Sequence, residues 1–487
     1  MFLLLPSLAF ALPAPCHSMS LEPWNSPLKP LPYPSHKAPT KEVRTIIDLP
    51  NRALSDNFVL HWGDDTSLSV QKQEEILDYL EWSWTHEIEV MQYPAPYGTD
   101  QYLFNVYMGS SGSGAPSDAG VAGYYTTDED GWPMVVLGQY VAENDDQYSV
   151  IPHEFFHAVQ HSTERYPYSG PSAWYWEATA TWMENQVLPD DPNYAVFLFG
   201  YAFLPHQSLL FFDYFDTGTI EEYHQYGAFI FPQFLSEYYS GSDWIRDSWV
   251  MDLGHEDPFS ALLDGFEAEG LDPNAVFAEF AASNAYWDYT HQDWYTYYLD
   301  YYATYFSGSD QRVVEQLHPN GTGGWVESSD VSPLEYASYH HIRLENSTYD
   351  TLYLSFEGDE TGTDGSEAMW SLTIVRKLGD AVTYDWLGTT SRLNSVPIAA
   401  LGVADELTLS ISLLAGQYID GEHFDYRYRL VPNPEMSGSE EPTTKQCGCH
   451  ATPNKPWEML SGLLLVAGFT RVRRQSHRHP RQSAVHQ

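Results

Sequence analysis

The segment Ile151–Ser162, with the sequence IPHEFFHAVQHS, constrains the fold more than any other part of the chain. Its apolar residues predict a buried helix, yet it also carries His153, Glu154 and His157. An α-helix turns once in about 3.6 residues, so histidines at positions i and i+4 lie one above the other on one face. Two imidazoles placed in this way can bind one metal ion, and the adjacent glutamate can accept a proton from a water molecule on that ion.

A catalytic zinc site needs a further protein ligand. The third histidine of the pattern H-E-x-x-H-x-x-G-x-x-H is absent, because Gln160 and Thr163 occupy the last two fixed positions. The sequence WEATATWME follows in the next predicted helix, and its Glu177 could reach the same ion if the two helices lie side by side. Thr181 and Glu184 share the helix face of Glu177 and could support the metal ligands.

H-E-x-x-H with a downstream glutamate resembles the gluzincin metallopeptidases. The aminopeptidase-like members have N-E-G-F-A-S-Y-x-E after the second histidine, and EATATWME at 177–184 has the same outline. The resemblance implies that His153, His157 and Glu177 are ligands of Zn²⁺ and that Glu154 is the general base of peptide hydrolysis. It also implies a protein or peptide substrate and a zincin-like catalytic domain, which consists of a small sheet and a bundle of helices.

A later segment, YHQYG at 223–227, supplies the candidates for a group that stabilises the oxyanion. Gluzincins commonly use a tyrosine or histidine from a later helix for this purpose. If the Tyr-x-x-Gly pattern of the aminopeptidase-like members is aligned on Gly227, His224 takes the position of the tyrosine. Tyr226 is the other candidate; we favour Tyr226 as the catalytic group and keep His224 as the alternative.

Two narrower resemblances point to myxobacterial proteins and to export. HEFFHAVQ and WEATATWME are similar to a metalloprotease family of myxobacteria, with a likeness that covers about residues 100–330. Near the C-terminus, Cys447-Gly448-Cys449, the apolar stretch Trp457–Phe469 and a cluster of arginines resemble the sorting signal of myxobacterial surface proteins. These likenesses imply a secreted or cell-surface protein of the outer membrane of a Gram-negative bacterium, which contacts the membrane only through its C-terminal tail.

The charge and the cysteine content exclude several classes of function. Asp and Glu number 67 against 22 Lys and Arg, a net charge of −45 that argues against a nucleic-acid partner and against docking of the folded part on anionic lipid. Such acidity is typical of a surface kept soluble outside a cell, although acidic cation sites would also account for it. No cysteine lies between Cys16 and Cys447, which excludes a thiol nucleophile and a Cys-ligated zinc site in that span.

The order of patterns along the chain predicts an α+β fold. Apolar residues at helical spacing predict helices over 148–163, 171–187, 226–239 and 273–286, and short runs that alternate with turns after about 330 predict an all-β sandwich. The predicted parts are a signal peptide (1–14), a leader or linker (15–45), a zincin-like metallopeptidase domain (46–325), a β-sandwich domain (326–432), a linker (433–456) and a C-terminal sorting or anchor tail (457–487).

The sequence also suggests where a substrate could bind. The Gly123–Tyr125 loop and the predicted strand Trp132–Leu137 precede the H-E-x-x-H helix, so an extended peptide could pair with the edge of that strand, although an ordinary core sheet is equally compatible. His161 lies one turn beyond His157 and is expected on the helix surface. The sequence therefore favours a zinc metallopeptidase, which we expect to be a monomer. The alternatives are a surface adhesin or carbohydrate-binding protein without enzymatic activity, and a zinc hydrolase of non-peptide amides or esters.

Overall fold

The computed structural model describes residues 40–432 with short gaps. The gaps are residues 119–120, 145–147, 214–218, 240, 252–253, 256, 307, 318–321, 323, 329–331, 345–350 and 400–405. The predicted signal peptide (1–14), most of the leader (15–45), the linker (433–456) and the C-terminal tail (457–487) lie outside the described residues.

The chain forms two compact units. The first comprises the chain up to Pro273 together with Tyr289–Arg312, and the second comprises Asn274–Asp288 together with the chain from Val313 onwards. Both units combine helix and strand, with most of the helices in the first and most of the strands in the second. The α+β class expected from the sequence is therefore confirmed.

The first unit is built on a mixed five-stranded sheet with the order β1-β2-β3-β5-β4. Its strands are β1 (Asn51–Leu54), β2 (Phe58–Trp62), β3 (Phe104–Met108), β4 (Gly123–Thr127) and β5 (Pro133–Leu137). β2, β3 and β5 run parallel and are buried along their whole length, as is usual for strands covered on both faces. β1 and β4 are antiparallel to their neighbours and form the two edges.

The position of β4 corrects two details of the sequence interpretation. Residues Gly123–Tyr125, which were assigned to a loop, are part of the edge strand β4. The predicted strand Trp132–Leu137 is confirmed as β5, but it lies between β3 and β4 and has no free edge. Any peptide that adds to this side of the sheet would therefore pair with β4.

Helices make up the rest of the first unit. The α-helices of the described residues are α1 (Val70–Trp84), α2 (Gln139–Glu143), α3 (Val150–Ser162), α4 (Ala173–Val187), α5 (Leu198–Ala202), α6 (His224–Gly227), α7 (Ile230–Tyr238), α8 (Asp243–Val250), α9 (Pro258–Ala268), α10 (Pro273–Ser283) and α11 (Gln292–Ala303), of which α10 belongs to the second unit. α3 packs on β4 and β5 with one face and against α4 with another, and α6 and α7 pack against α4. None of the described helices is both long and apolar enough to cross a bilayer.

The second unit contains two antiparallel-rich sheets and helix α10. Its strands are β6 (Glu315–Leu317), β7 (Val326–Glu327), β8 (Ser338–Leu344), β9 (Thr351–Gly358), β10 (Ala368–Leu378), β11 (Ala381–Thr389), β12 (Arg392–Ala399), β13 (Glu406–Ala415) and β14 (Tyr426–Val431). The sheet orders are β11-β10-β13-β8-β6 and β12-β9-β14-β7. Phe356 and Tyr426 of one sheet pack on Trp370 of the other, at ring-centroid distances of 5.6 Å, and form part of a sandwich-like core.

Two buried glutamates near the end of α1 have opposite surroundings. Glu81 is satisfied, because its Oε1 accepts hydrogen bonds from Ser55 Oγ and the Asn57 amide at 2.6 Å and its Oε2 accepts one from Asn57 Nδ2 at 2.7 Å. Glu87 lies in the π-helical turn Thr85–Val90 that continues α1, and its carboxyl has no hydrogen-bond partner among the described residues. Burial raises the pKa of Glu87 well above its ordinary value.

We expect Glu87→Gln to raise the free energy of unfolding at pH 7 by about 1–3 kcal/mol. Because the pKa of Glu87 is higher in the folded than in the unfolded protein, its contribution to stability is present below the ordinary glutamate pKa of about 4.3 and is lost as the pH rises above that value. Urea unfolding at pH 4 and pH 7 tests this, since the gain should shrink at pH 4. Glu81→Gln is the matched control and should destabilise the protein. A Glu87→Gln variant less stable than wild type at pH 7 would contradict the expectation.

Candidate metal centre

His153 and His157 stand side by side on α3, where both are buried at relative exposures of 2% and 8%. Their ring centroids are 4.9 Å apart. Glu177 comes from α4, and its Oε2 lies 3.3 Å from Nε2 of His153 and 3.5 Å from Nε2 of His157. One ligand atom from each of the three residues lies within 4.8 Å of the others, so the group could hold a metal ion.

The other ring nitrogens of the two histidines are engaged in hydrogen bonds. Nδ1 of His153 donates to Oε1 of Glu184 at 2.9 Å, and Nδ1 of His157 donates to Oε1 of Gln160 at 2.7 Å. These partners fix the orientation of each ring and leave Nε2 as the nitrogen that faces Glu177. Two imidazole lone pairs and a carboxylate oxygen then converge on one point without a donor among them. Such a set of acceptors fits a bound cation.

Gln160 is itself held on both sides of its amide. Its Nε2 donates to the carbonyl oxygen of Trp176 at 2.9 Å and to Oγ1 of Thr179 at 2.8 Å, so its Oε1 is the atom left for His157. Thr179 in turn accepts a hydrogen bond from Nε1 of Trp249 at 3.3 Å. The orientation of His157 is therefore tied to α4 and, through Trp249, to α8.

The electrostatics of the group favour a positive charge at its centre. Burial alone would lower the pKa of His153, but the hydrogen bonds to Glu177 and Glu184 outweigh burial and raise that pKa to about 10. For Glu177 burial has the opposite effect and would raise the pKa. The two histidines nevertheless hold the pKa of Glu177 well below its ordinary value. The carboxylates thus stabilise either a proton on His153 or a cation bound between the same side chains, and a metal ion would have to displace the proton.

The three residues open onto a cleft of about 400 Å³, a volume within the range of small-ligand sites. Its walls come from β4 and the residues before it, from α3, from the α3–α4 loop and from α4 and α6. The lining residues are Val121, Gly123, Tyr124, Tyr125, His153, Glu154, His157, His161, Tyr168, Trp176, Glu177 and Tyr226. The cleft therefore combines aromatic walls with a floor of carboxylates and imidazoles.

Glu154 lies on the cleft wall beside the metal-binding group and is 2% exposed. The glycine at residue 123 of β4 leaves room for the side chain of Glu154. A Cβ atom added to Gly123 would lie 2.9 Å from Cγ of Glu154, 3.1 Å from Cγ2 of Val150 and 3.3 Å from the carbonyl oxygen of Val136. The close approach of α3 to β4 thus sets the position of the Glu154 carboxylate.

The two candidates for the oxyanion group occupy different places. Tyr226 lines the cleft, and its ring stacks on that of His153 with centroids 6.0 Å apart. His224 is fully buried and does not line the cleft; its Nδ1 donates to the carbonyl oxygen of Phe211 at 3.2 Å, and burial lowers its pKa to about 3. Of the two, only Tyr226 can meet a molecule bound in the cleft.

Of the two residues expected to support the metal ligands, only Glu184 makes a hydrogen bond to one of them. Glu184 does so through His153, whereas Oγ1 of Thr181 has no hydrogen-bond partner among the described residues. Gln160 and Tyr168 were missed by the sequence analysis. Gln160 could have been found from its place one turn after His157, whereas Tyr168 lies in the irregular α3–α4 loop and gave no signal in the sequence pattern.

A family model described as "Family of unknown function (DUF6055)" matches residues 34–390, which is most of the 487-residue chain. The chain belongs to this family. The matched range contains every residue of the metal-binding group and every residue that lines the cleft. No curated protein matches the chain. Because the family description assigns no activity, function has to be inferred from the site itself.

We expect the purified protein to bind one divalent metal ion per chain and His157→Ala to lose it. Removal of a direct ligand should cost more than the roughly 10- to 100-fold loss of affinity typical of outer hydrogen-bond partners. Equilibrium dialysis with metal analysis measures both. His161→Ala is the matched control, because His161 lies on the same helix and lines the cleft but is outside the group. Equal metal binding by His157→Ala and wild type would rule out this site.

Proposed function

We propose that the protein is a zinc-dependent metallopeptidase of the gluzincin type. The observation that carries the proposal is the placement of Glu154 on the wall of one cleft with the buried group His153, His157 and Glu177. Two imidazoles and one carboxylate are a ligand set typical of catalytic zinc, and three protein ligands leave a coordination position for a water molecule or substrate. The resemblance to gluzincins, which have the same residue types in the same chain order, supports this choice of metal and reaction.

The side chains of the cleft have separate roles in the proposed reaction. When bound, zinc supplies Lewis acidity, which favours deprotonation of a water molecule and polarises the scissile carbonyl. Glu154 accepts the proton of the attacking water at its carboxylate and delivers it to the nitrogen of the departing amine. Tyr226 lines the same cleft and is the group that we assign to stabilise the oxyanion. Glu184 and Gln160 keep both imidazoles in the orientation that the reaction needs.

The edge strand β4 supports a peptide as the substrate. β4 is the outer strand of its sheet, and Gly123, Tyr124 and Tyr125 of this strand line the cleft beside Glu154. An extended peptide could add to this edge by main-chain hydrogen bonds and so cross the cleft. The aromatic walls would then contact its side chains. A protein or peptide substrate is part of the proposal for this reason.

Location and assembly state stay predictions from the sequence. Export, display at the surface of a Gram-negative cell and attachment through the tail depend on residues 1–14 and 433–487, which lie outside the described residues. The net charge of −45 supports an extracellular setting and argues against nucleic-acid partners. We propose a monomer, in line with the sequence interpretation.

We expect Glu154→Gln to retain the metal ion and to lower kcat for peptide hydrolysis by at least about 100-fold, since general-base catalysis contributes about 10²–10⁴-fold. Hydrolysis of casein or a quenched fluorescent peptide, with and without a chelator, measures the loss. Glu143→Gln, at an exposed position of α2, is the control. Retained turnover in Glu154→Gln would refute the role of Glu154. Turnover of esters alone would favour the non-peptide hydrolase, and metal binding without any turnover would favour a binding protein.

Gly123→Ala tests the position of Glu154 without changing its chemistry. The new Cβ would lie 2.9 Å from Cγ of Glu154, so the carboxylate has to shift. A misplacement of about 1 Å can cost about 100-fold in rate, and we expect a loss of kcat of this size with unchanged metal content. Gly308→Ala is the control, because its Cβ would meet no atom within 4 Å. Wild-type kcat in Gly123→Ala would show that the contact with β4 does not set the position of the base.

A further inference from the structure

Tyr168 connects the cleft wall to the metal-binding group. Its hydroxyl donates a hydrogen bond to Oε1 of Glu177 at 2.6 Å, the distance of a strong hydrogen bond from a hydroxyl to a carboxylate. The other oxygen of Glu177, Oε2, is the one that lies 3.3 Å and 3.5 Å from the Nε2 atoms of His153 and His157. One carboxylate therefore has one oxygen bound by a tyrosine and the other directed at two imidazoles.

The rotamer of Glu177 does not by itself fix the plane of its carboxylate, because the last torsion of a glutamate is broad. His153 and His157 hold their second ring nitrogens through Glu184 and Gln160. Tyr168 is the corresponding partner of the third candidate ligand, since it donates to Oε1 of Glu177 while Oε2 lies nearest to the imidazoles.

The ring of Tyr168 is held in place by aromatic packing. It makes edge-to-face contacts with Trp176 and Phe212, each at a centroid distance of 5.7 Å. The loop that carries it is anchored by Tyr166, which is 4% exposed and packs on Trp249 at 5.3 Å. Tyr168 itself is 45% exposed on the cleft wall. The hydroxyl is thus presented to Glu177 by a ring whose orientation does not depend on that hydrogen bond.

We propose that Tyr168 is a positioning residue for the metal: it fixes the Glu177 carboxylate so that Oε2 alone is offered to the ion. This inference rests on the proposed zinc site. Loss of the hydroxyl would leave the ring contacts intact and allow the carboxylate to rotate, so it should weaken the binding of the ion. Loss of the hydroxyl should weaken metal binding whether or not the cleft hydrolyses peptides.

The test compares the zinc affinity of wild type, Tyr168→Phe and Tyr124→Phe by competition with a chromophoric chelator. Tyr124 is the matched control for affinity, because it also lines the cleft but its hydroxyl donates to the carbonyl oxygen of Ser117 at 2.7 Å. We expect Tyr168→Phe to bind zinc about 10- to 100-fold more weakly than wild type, the range typical of outer hydrogen-bond partners, and Tyr124→Phe to match wild type.

Thermal unfolding provides a second measurement that does not need turnover. The rise in the unfolding midpoint that a fixed zinc concentration causes, relative to the same protein in EDTA, should be smaller for Tyr168→Phe than for wild type, since a weaker ligand stabilises less. Wild-type zinc affinity in Tyr168→Phe, with the ion lost in His157→Ala, would overturn the role of Tyr168 and leave the zinc site standing. An equal loss in both tyrosine variants would also overturn it. If wild type itself binds no zinc, both this inference and the proposed function fail.

Discussion

The convergence of two imidazole nitrogens and a carboxylate oxygen in a buried place is the constraint on which the rest of the first unit depends. Three acceptors that face one another in a buried place need a proton or a metal ion between them, because each loses most of its hydration and otherwise gains no donor. The surrounding elements have to deliver these atoms together and keep them there. α3 supplies His153 and His157, α4 supplies Glu177, and the contact between these two helices determines whether the group exists.

The sequence of α4 is suited to holding the metal-binding side chains in a buried place. Nearly all of its residues are buried, so it is a central element of the unit and not a surface helix with one apolar face. Three of its polar residues take part in the hydrogen bonds of the site: Glu177 and Glu184 face His153, and Thr179 links Gln160 to Trp249. The large aromatic residues of α4 are buried as well. A buried polar network of this kind is stable only when its members are satisfied together.

Helical periodicity was enough to predict the part of the site that is local in sequence. His153, Glu154 and His157 follow from one turn of α3, and Glu177 followed from the resemblance of its surroundings to a known pattern. Contacts that depend on how elements pack could not be predicted. β4 was taken for a loop because its strand character comes from pairing with β5, and nothing in the helical pattern of α10 shows that it belongs to the second unit. Tyr168 was missed because an irregular loop has no periodicity to indicate which side chain faces inward.

Charge balance gives an independent reason to expect a divalent ion. Glu154, Glu177 and Glu184 are all at most 6% exposed around two histidines, so three carboxylates share one small volume. A proton on His153 compensates one negative charge and leaves the Nε2 of His157 facing Oε2 of Glu177 at 3.5 Å. A divalent cation compensates two negative charges and accepts lone pairs from both imidazoles and from Glu177 at once. The cost of burying three carboxylates side by side is therefore offset better by a metal ion than by a proton.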